Sequence, residues 1–142
     1  MASREEINLQ EIQALAEFRY HIRRFLHASE QLLKSAGLKP QQYQLMLHIK
    51  ASVEDKPNTI SHIAERLQIQ HHSTVELADR LTNKGLIRRK RAGDDRRQVL
   101  LELTPKGEKV LRELALHHRE ELRSNGPGLV GSLRKVLSGV QK

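Results

Sequence analysis

The sequence predicts a mainly α fold with a small β component (α+β), namely a winged helix-turn-helix with long helices at both ends. Two short apolar patterns at helical spacing stand on either side of the break LQIQHH. Two strand-like runs, LIRRKR and QVLLEL, follow them, with the turn residues AGDDR in between. Amphipathic helical patterns occupy both ends of the chain. Together these observations predict the fold class.

The first long helix is predicted from about Leu9 to Ala36, with Gly37 closing it. Its apolar residues recur three and four positions apart: Leu15, Phe18, Ile22, Phe25 and Leu32. This apolar seam is narrow for so long a helix. Packing against a partner helix, in the same chain or in another, is therefore expected.

A second helix is predicted in LKPQQYQLMLHIKASV, with Pro40 in the first turn, where its missing N–H costs nothing. Its core face consists of Tyr43, Met46, Leu47 and Ile49. The charged, turn-rich segment EDKPN is expected to be a surface loop. Asn58 or Thr59 then caps the next helix through a side-chain oxygen.

The helix pair that follows shares one small core. Its two apolar sets are Ile60, Ile63, Ala64 and Leu67, and then Thr74, Leu77, Ala78 and Leu81. Gly85 ends the second helix, because glycine takes the left-handed cap conformation without a Cβ clash, and Leu86 supplies the apolar contact. A helix, a short turn and a second helix form the unit that places its second helix in a DNA major groove.

The predicted hairpin after Gly85 is strongly basic. Residues 84–97 contain seven Lys and Arg residues against two acids, Asp94 and Asp95. One interpretation is a charged edge that protects the hairpin from aggregation. We favour a DNA-binding wing, because edge protection needs fewer charges and no helix pair beside them.

Beyond Thr104, PKGEKVLRELALHHREEL predicts a helix that begins at Pro105, and SNGPG is expected to break it. A last helix is predicted from about Leu129 to Val140. No repeat or linker divides the chain. We therefore expect a single domain over residues 10–142, with the winged helix-turn-helix core at about 38–104 and terminal helices at about 9–36 and 105–141.

Three motifs resemble the MarR family of bacterial transcription regulators. DDRRQVLLELT resembles its wing signature, with Asp95, Arg97, Leu103 and Thr104 at the matching positions. VELADRLTNKGLIRR resembles its recognition helix, and TPKG resembles the start of its next helix. Their order and spacing extend the resemblance from about residue 10 to the end of the chain.

The resemblance implies a homodimeric winged-helix DNA-binding protein, usually a repressor, often released by a small ligand or by oxidation. The terminal helices would form the dimerisation region. The operator would be pseudopalindromic double-stranded DNA, with half-sites about 10 base pairs apart. Release by thiol oxidation is excluded here, because the chain contains no cysteine.

Composition agrees with a polyanionic partner. The net charge is +8, and Lys and Arg release counterions when they bind nucleic acid. Aromatic residues make up only 3% of the chain, which argues against stacking platforms for single strands. No apolar run approaches the roughly 20 residues that span a bilayer, and the N-terminus does not resemble a signal peptide. We expect a cytoplasmic protein without membrane contact.

Candidate DNA readers lie on the polar face of the second helix of the pair, mainly near its start. They are His71, His72, Ser73, Thr74, Glu76, Arg80 and Lys84. Glu76 could accept a hydrogen bond from the amino group of cytosine, but we favour an i,i+4 pair with Arg80. Arg80 could itself be held by Asp79 or by the wing, although the resemblance suggests a phosphate contact.

In the wing, the arginines are assigned three roles. Arg96 lies nearest the turn and is expected in the minor groove, where a narrow A·T tract concentrates negative potential. Arg97 points to the other face, and the resemblance pairs it with Asp95, so that the two shape the wing. Phosphate contacts are assigned to Arg88, Arg89 and Arg91.

Other functions find little support. Neither His71-His72 nor His117-His118 forms a chelate alone, since adjacent helical residues point about 100° apart; no metal and no cofactor are expected. No catalytic constellation is visible, so no enzyme is predicted. The resemblance places effectors in a crevice beside the dimer region, where His21, Arg24, Tyr43 and Met46 are possible liners. For Tyr43 and Met46 we prefer a role in the core.

Overall fold

The computed structural model describes residues 6–52, 57–92 and 95–138, with only the backbone described for residues 92 and 95–97. Its elements are α1 (Leu9–Ser35), α2 (Pro40–Ala51), α3 (Ile60–Leu67), α4 (His71–Asn83), β1 (Ile87–Ala92), β2 (Asp95–Leu103) and α5 (Pro105–Ser138). The predicted fold class, mainly helical with one two-stranded sheet, is confirmed. The chain divides into two compact units, which we call the winged-helix unit (residues 32–115) and the terminal-helix unit (residues 1–31 and 116–142).

Two glycines end helices as the sequence predicted. Gly37 has φ +72° and follows α1, and Gly85 has φ +75° and follows α4. After α4, the backbone N–H of Leu86 donates to the carbonyl of Leu81 over 3.0 Å, and Leu86 is buried. This hydrogen bond and the left-handed glycine together form a Schellman cap.

The caps of α2 and α3 follow the predicted pattern. Pro40 occupies the first turn of α2, and the Oγ1 atom of Thr59 accepts a hydrogen bond from the backbone N–H of His62 at the start of α3. Asn58 has a different task, because its Nδ2 atom donates to the Ile49 carbonyl over 2.8 Å. Thr59 is thus the cap among the two candidates. Residues 53–56 of the predicted loop EDKPN lie outside the described residues.

The turn between α3 and α4 contains a left-handed residue that is not glycine. Gln68 has φ +57°, and its side-chain Nε2 atom donates to the Glu65 carbonyl over 2.8 Å. Left-handed backbone costs a residue with a Cβ roughly 1–2 kcal/mol. The hydrogen bond offsets part of that cost, and the turn sets the direction of α4.

The two strands form an antiparallel hairpin. Ile87 pairs with Leu103, and the register continues to Arg91 opposite Val99, with a shift between Arg91 and Ala92. The side chains of Ile87, Leu101 and Leu103 are buried. One face of the hairpin therefore packs on the core of the winged-helix unit, and Arg88 and Lys90 alternate to the opposite face. Turn residues 93 and 94 lie outside the described residues.

The start of α5 is tied to the end of α4. The Thr104 hydroxyl donates to the Gly85 carbonyl over 2.6 Å and accepts from the backbone N–H of Gly107 over 3.0 Å. A Cβ atom added to Gly107 would lie 1.9 Å from the Leu86 carbonyl oxygen. Glycine is required in TPKG because the two backbones are in direct contact.

The predicted helix break at SNGPG is wrong. α5 continues through it as one helix of 34 residues with Pro127 inside, so the separate last helix predicted for residues 129–140 does not exist. A proline removes one helical hydrogen bond, but packing can hold the helix together across it. Such packing is present: a Cβ atom added to Gly128 would lie 2.9 Å from the imidazole of His21 on α1.

A single apolar core fills the winged-helix unit. Its fully buried large side chains are Leu33, Leu45, Met46, Ile63, Leu81, Ile87 and Leu101. The predicted core residues Tyr43, Met46 and Ile49 are buried, while Leu45 was missed. Among the described residues, no helix is both long enough and apolar enough to cross a membrane.

Candidate nucleic-acid interface

Buried residues fix the orientation of α4. Thr74, Ala78 and Leu81 are each 0% exposed and lie on its inner face. The hydroxyl of Thr74 donates to the Gln70 carbonyl over 3.0 Å. The assignment of Thr74 as a base reader is therefore wrong, because its side chain faces the core and its hydrogen bond stays within the helix.

The outer face of α4 carries the remaining candidate readers. His71, His72, Glu76 and Arg80 are exposed, and Ser73 is half-buried. Within the described part of the chain, neither Glu76 nor Arg80 forms an ion pair or a side-chain hydrogen bond. The favoured Glu76–Arg80 pair is thus wrong. Both side chains are free to meet an external partner.

Asp79 is paired with the wing rather than with Arg80. Its carboxylate accepts a hydrogen bond from the guanidinium of Arg89 on β1 over 2.6 Å. The pair joins the outer surface of α4 to the first strand of the hairpin. The phosphate contact assigned to Arg89 stays a prediction, since an exposed guanidinium with several N–H donors can bind a second anion.

Arg88 is paired as well. It lies directly opposite Glu102 in the hairpin register, and its Nε atom donates to the Glu102 carboxylate. The hydrogen bond from Arg88 holds the pKa of Glu102 below its ordinary value. The phosphate contact predicted for Arg88 likewise stays a prediction, because Arg88 is exposed.

Lys84 also has an internal partner. Its Nζ atom donates to the Gly37 carbonyl over 2.7 Å, and its own carbonyl accepts from Lys106 over 3.0 Å. Lys84 therefore links the turn after α1 to the end of α4. Its predicted role in DNA binding stays a prediction.

Four exposed cations of α3, α4 and β1 have no hydrogen bond or ion pair within the described residues. They are Arg66, Arg80, Lys90 and Arg91. Arg80 and Arg91 were predicted from the sequence, whereas Arg66, on α3, was missed. Its position four residues after His62 on one helix face was the signal that could have identified it.

The roles predicted for the residues next to the hairpin turn are not tested by the structure. β2 begins at Asp95, but the side chains of Asp95, Arg96 and Arg97 lie outside the described residues. The minor-groove role of Arg96 and the Asp95–Arg97 pair remain predictions.

The predicted effector-site residues fall into both units. In the winged-helix unit, Met46 is 0% exposed and Tyr43 is buried, and burial raises the pKa of the Tyr43 hydroxyl. Their preferred role in the core is confirmed. In the terminal-helix unit, His21 and Arg24 line a cavity of about 220 Å³ together with Phe25, Leu122 and Leu129.

Histidines and acids do not assemble into a larger cluster. Within residues 6–52, 57–92 and 95–138, no three His, Asp or Glu side chains are grouped as metal ligands. His118 is buried, and its Nε2 atom lies 2.7 Å from the Ser29 hydroxyl. His118 thus contributes to helix packing within the terminal-helix unit, whereas His117 is exposed.

Comparison with known proteins identifies similar chains. Residues 36–98 match the model of the MarR family. The transcriptional regulator ZitR of Lactococcus lactis subsp. cremoris is 35% identical over 94 residues, which are 64% of this chain. The match covers 65% of that relative's own length.

Two solved structures share the fold at lower identity. AbsC, a MarR family transcriptional regulator from Streptomyces coelicolor, superposes with a TM-score of 0.74 at 24% identity, over 85% of this chain and 81% of AbsC. A point mutant of S. aureus MepR, bound to an oligodeoxyribonucleotide, superposes with a TM-score of 0.67 at 22% identity, over 96% of this chain and 100% of that one.

Proposed function

Because this chain belongs to the MarR family of transcription regulators, we propose that it is a homodimeric repressor that binds a pseudopalindromic duplex and is released by a small molecule. The family and the fold are those of regulators that are not enzymes. The observation that carries the DNA-binding proposal is the outer face of α4, where Glu76 and Arg80 are exposed and unpaired beside a basic hairpin.

The charge distribution supports a duplex as the partner. A helix that enters a major groove needs polar side chains free to reach base edges, and cations beside it to meet phosphates. In this chain Glu76 offers an acceptor for the amino group of cytosine, while Arg80, Lys90 and Arg91 offer unpaired positive charge. The oligonucleotide in the MepR structure supports the same proposal for this chain.

The terminal-helix unit supports the dimer. Its exposed large apolar residues are Ile7, Leu9, Ile12, Leu15, Tyr20, Leu26, Leu116, Leu122, Val130, Leu133 and Leu137. Exposed apolar patches of this extent usually mark interaction sites. A second copy of the same helices would cover them and place two recognition helices on one face of the DNA.

The cavity in the terminal-helix unit supports effector release. Its lining includes the positive charge of Arg24, the polar ring of His21 and the apolar side chains of Phe25, Leu122 and Leu129. Such a lining suits a small organic anion with an apolar body.

Selection of bound duplexes from a random pool, followed by footprinting, tests the function. Two protected half-sites about 10 base pairs apart are expected for the dimer. Glu76→Ala should relax the preference at one position of each half-site, with discrimination falling by about 1–3 kcal/mol. Arg80→Ala should weaken all duplexes to a similar degree, as the loss of a phosphate contact does.

Arg112→Ala provides the matched control, since Arg112 is an exposed arginine on α5 without a hydrogen bond or ion pair among the described residues. Retained selection by Glu76→Ala, together with retained affinity of Arg80→Ala, would exclude the outer face of α4 as the reading surface. Equal affinity for every duplex would indicate a protein that binds DNA without sequence specificity. No salt-dependent binding at all would favour a protein-interaction module.

A further inference from the structure

Two lysine side chains connect the end of the recognition helix α4 to neighbouring elements. The Nζ atom of Lys84, the residue that follows α4, donates a hydrogen bond to the carbonyl of Gly37 over 2.7 Å. Gly37 lies between the end of α1 and the start of α2. The Nζ atom of Lys106, in the first turn of α5, donates to the carbonyl of Lys84 over 3.0 Å. We call these two hydrogen bonds the lysine tether.

The tether acts where a helix cannot satisfy its own carbonyl groups. The carbonyl groups at the end of an α-helix have no partner within the helix, and they carry partial negative charge. At the end of α4, the Lys84 carbonyl accepts from an ammonium group, and the Gly85 carbonyl accepts from the Thr104 hydroxyl over 2.6 Å. Both donors belong to TPKG at the start of α5. Hydrogen bonds to α5 and to the α1–α2 turn therefore fix the end of α4.

Apolar packing and hydrogen bonds constrain α4 in different ways. Thr74, Ala78 and Leu81 bury its inner face, and apolar burial is non-directional. Packing therefore determines which face of α4 is buried. A hydrogen bond weakens steeply when its distance or angle departs from the preferred values. The tether therefore determines where the end of the helix lies.

The position of that end matters most for contacts to base edges. Glu76 lies eight residues before Lys84, which corresponds to roughly 12 Å along the axis of α4. A tilt of about 5° at the tether would move Glu76 by roughly 1 Å. Binding residues need to be held within about 0.5 Å of their productive positions. Attraction to phosphates is less sensitive to such a shift, because it acts over about 8 Å at physiological ionic strength.

We infer that Lys84 and Lys106 are positioning residues for DNA recognition, which hold α4 at the angle at which its outer face reads base edges and do not themselves contact DNA. The inference rests on the proposed DNA-binding function. Salt dependence distinguishes it from the phosphate contact predicted for Lys84 from the sequence. Loss of a phosphate contact reduces the slope of log affinity against log salt by about one ion, whereas loss of a positioning hydrogen bond leaves the slope unchanged.

Two substitutions test the tether on a pair of duplexes. One duplex is selected by the wild-type protein, and the other differs from it at the most strongly preferred base pair of each half-site. Lys84→Met removes the ammonium group and keeps an unbranched side chain. The ratio of the two affinities should fall by about fivefold, the smaller end of what one good base contact contributes. The salt slope should keep its wild-type value, and Lys106→Met should give the same two results.

Lys50→Met provides the matched control. Lys50 is an exposed lysine of α2, and its Nζ atom lies 3.0 Å from the Glu108 carboxylate. The same substitution thus removes one positive charge and one hydrogen bond between two elements, but none that involves α4. The affinity ratio and the salt slope should both stay at their wild-type values. Thermal unfolding of each variant checks the fold, since a loss of stability alone would not change the ratio measured on folded protein.

Lys84→Arg tests whether the hydrogen bond itself is responsible. A guanidinium group can also donate to the Gly37 carbonyl. The affinity ratio should therefore return toward the wild-type value, whereas it should not in Lys84→Met.

Backbone amide resonances of α4 give a readout that needs no DNA. In Lys84→Met, nuclear magnetic resonance should show shifts along α4 that reach Glu76. Lys50→Met should leave these resonances in place, and Lys84→Arg should restore most of them.

Three outcomes overturn the inference in distinguishable ways. A salt slope reduced by about one ion, with an unchanged affinity ratio in Lys84→Met, would show that Lys84 contacts a phosphate directly. If Lys84→Met and Lys106→Met match Lys50→Met in both measurements, the tether does not affect DNA recognition. The proposed function stands in both cases. If the wild-type protein binds no duplex, the proposed function fails and the role of the tether in recognition fails with it.

Discussion

The winged-helix unit and the terminal-helix unit differ in the burial of their large apolar side chains. Among the described residues, every buried large apolar side chain of the core lies between Leu33 and Leu114, within the winged-helix unit. In the part of the chain that the structure describes, every exposed large apolar side chain lies in the terminal-helix unit, where Ala14 is the only described apolar residue that is buried.

The difference shows how each unit is stabilised. A sheet and three short helices surround the core of the winged-helix unit, so its large apolar groups leave water when the chain folds. The terminal-helix unit has two long helices and no third layer, so much of its apolar surface stays exposed. One unit buries its large apolar side chains by itself, and the proposed dimer would cover those of the other unit. The predictions below test this contrast.

The largest effect is expected from a charge placed on the apolar surface of the terminal-helix unit. Leu133→Asp should convert the proposed dimer to a monomer, because a carboxylate buried in the proposed subunit interface would have no partner. DNA affinity should fall by about 10²-fold or more, since the two half-sites are no longer bound by one molecule. Light scattering and a shift assay measure both changes. Ser124→Asp adds the same charge at an exposed polar position and should retain the dimer.

Leucine truncation in the Leu133→Asp background compares the two units without dimerisation. Leu101→Ala should lower the free energy of unfolding by about 2–5 kcal/mol, because Leu101 is 1% exposed. Leu137→Ala should change it by less than about 0.5 kcal/mol, because Leu137 is 77% exposed. Urea unfolding provides both values. Equal costs at the two positions would contradict the contrast between the units.

The two units also differ in their tolerance of a methyl group on one helix. Gly107→Ala should destabilise the protein by about 1–3 kcal/mol, because its Cβ would meet the Leu86 backbone. Gly131→Ala, where the added Cβ meets no described atom within 4 Å, should stabilise α5 by about 0.5–1 kcal/mol. Thermal unfolding of both variants in the Leu133→Asp background shows whether each substitution destabilises or stabilises the protein. A tolerated Gly107→Ala would mean that the start of α5 is not held as described.

The smallest effect is a sensitivity to acid that belongs to the winged-helix unit. The pKa of His48 is lowered in the folded state, so the unfolded chain binds more protons once pH falls below the ordinary value of 6.5. Stability should therefore decline below about pH 6.5. The decline should be shallower in His48→Gln. His27→Gln, at an exposed position of the terminal-helix unit, should retain the wild-type profile in unfolding measurements.

Local signals predicted most of the elements. Periodicity located α1 and the two helices of the helix-turn-helix, and Gly37 and Gly85 marked helix ends because a left-handed residue is required there. Pro127 led to the wrong prediction of a helix break. A proline indicates only the local free-energy cost of a lost helical hydrogen bond, and not the packing that can offset it. The close contact of Gly128 with His21, which lies more than a hundred residues away in sequence, could not be read locally.

The candidate site was predictable in position but less so in detail. Thr74 belonged to the apolar set of α4 and also to the predicted readers, and its burial shows that the first assignment was correct. The partner of Arg88 could have been found, because the hairpin register places Glu102 opposite it. The partners of Arg89 and Lys84 depend on how α4 packs against the strand and the α1–α2 turn. Sequence spacing carries no signal for such contacts.

The pair of Asp79 and Arg89 has a consequence for engineering. An exposed pair contributes only about 0–1 kcal/mol, so its two charges could be exchanged as Asp79→Arg with Arg89→Asp at little cost to the fold. The exchange would move positive charge from the hairpin to the recognition helix while the net charge stays the same. The electric field at the surface of α4 would change although the fold does not. Two positions that need not contact a base could thus change the balance between contacts to base edges and electrostatic attraction to the DNA phosphates.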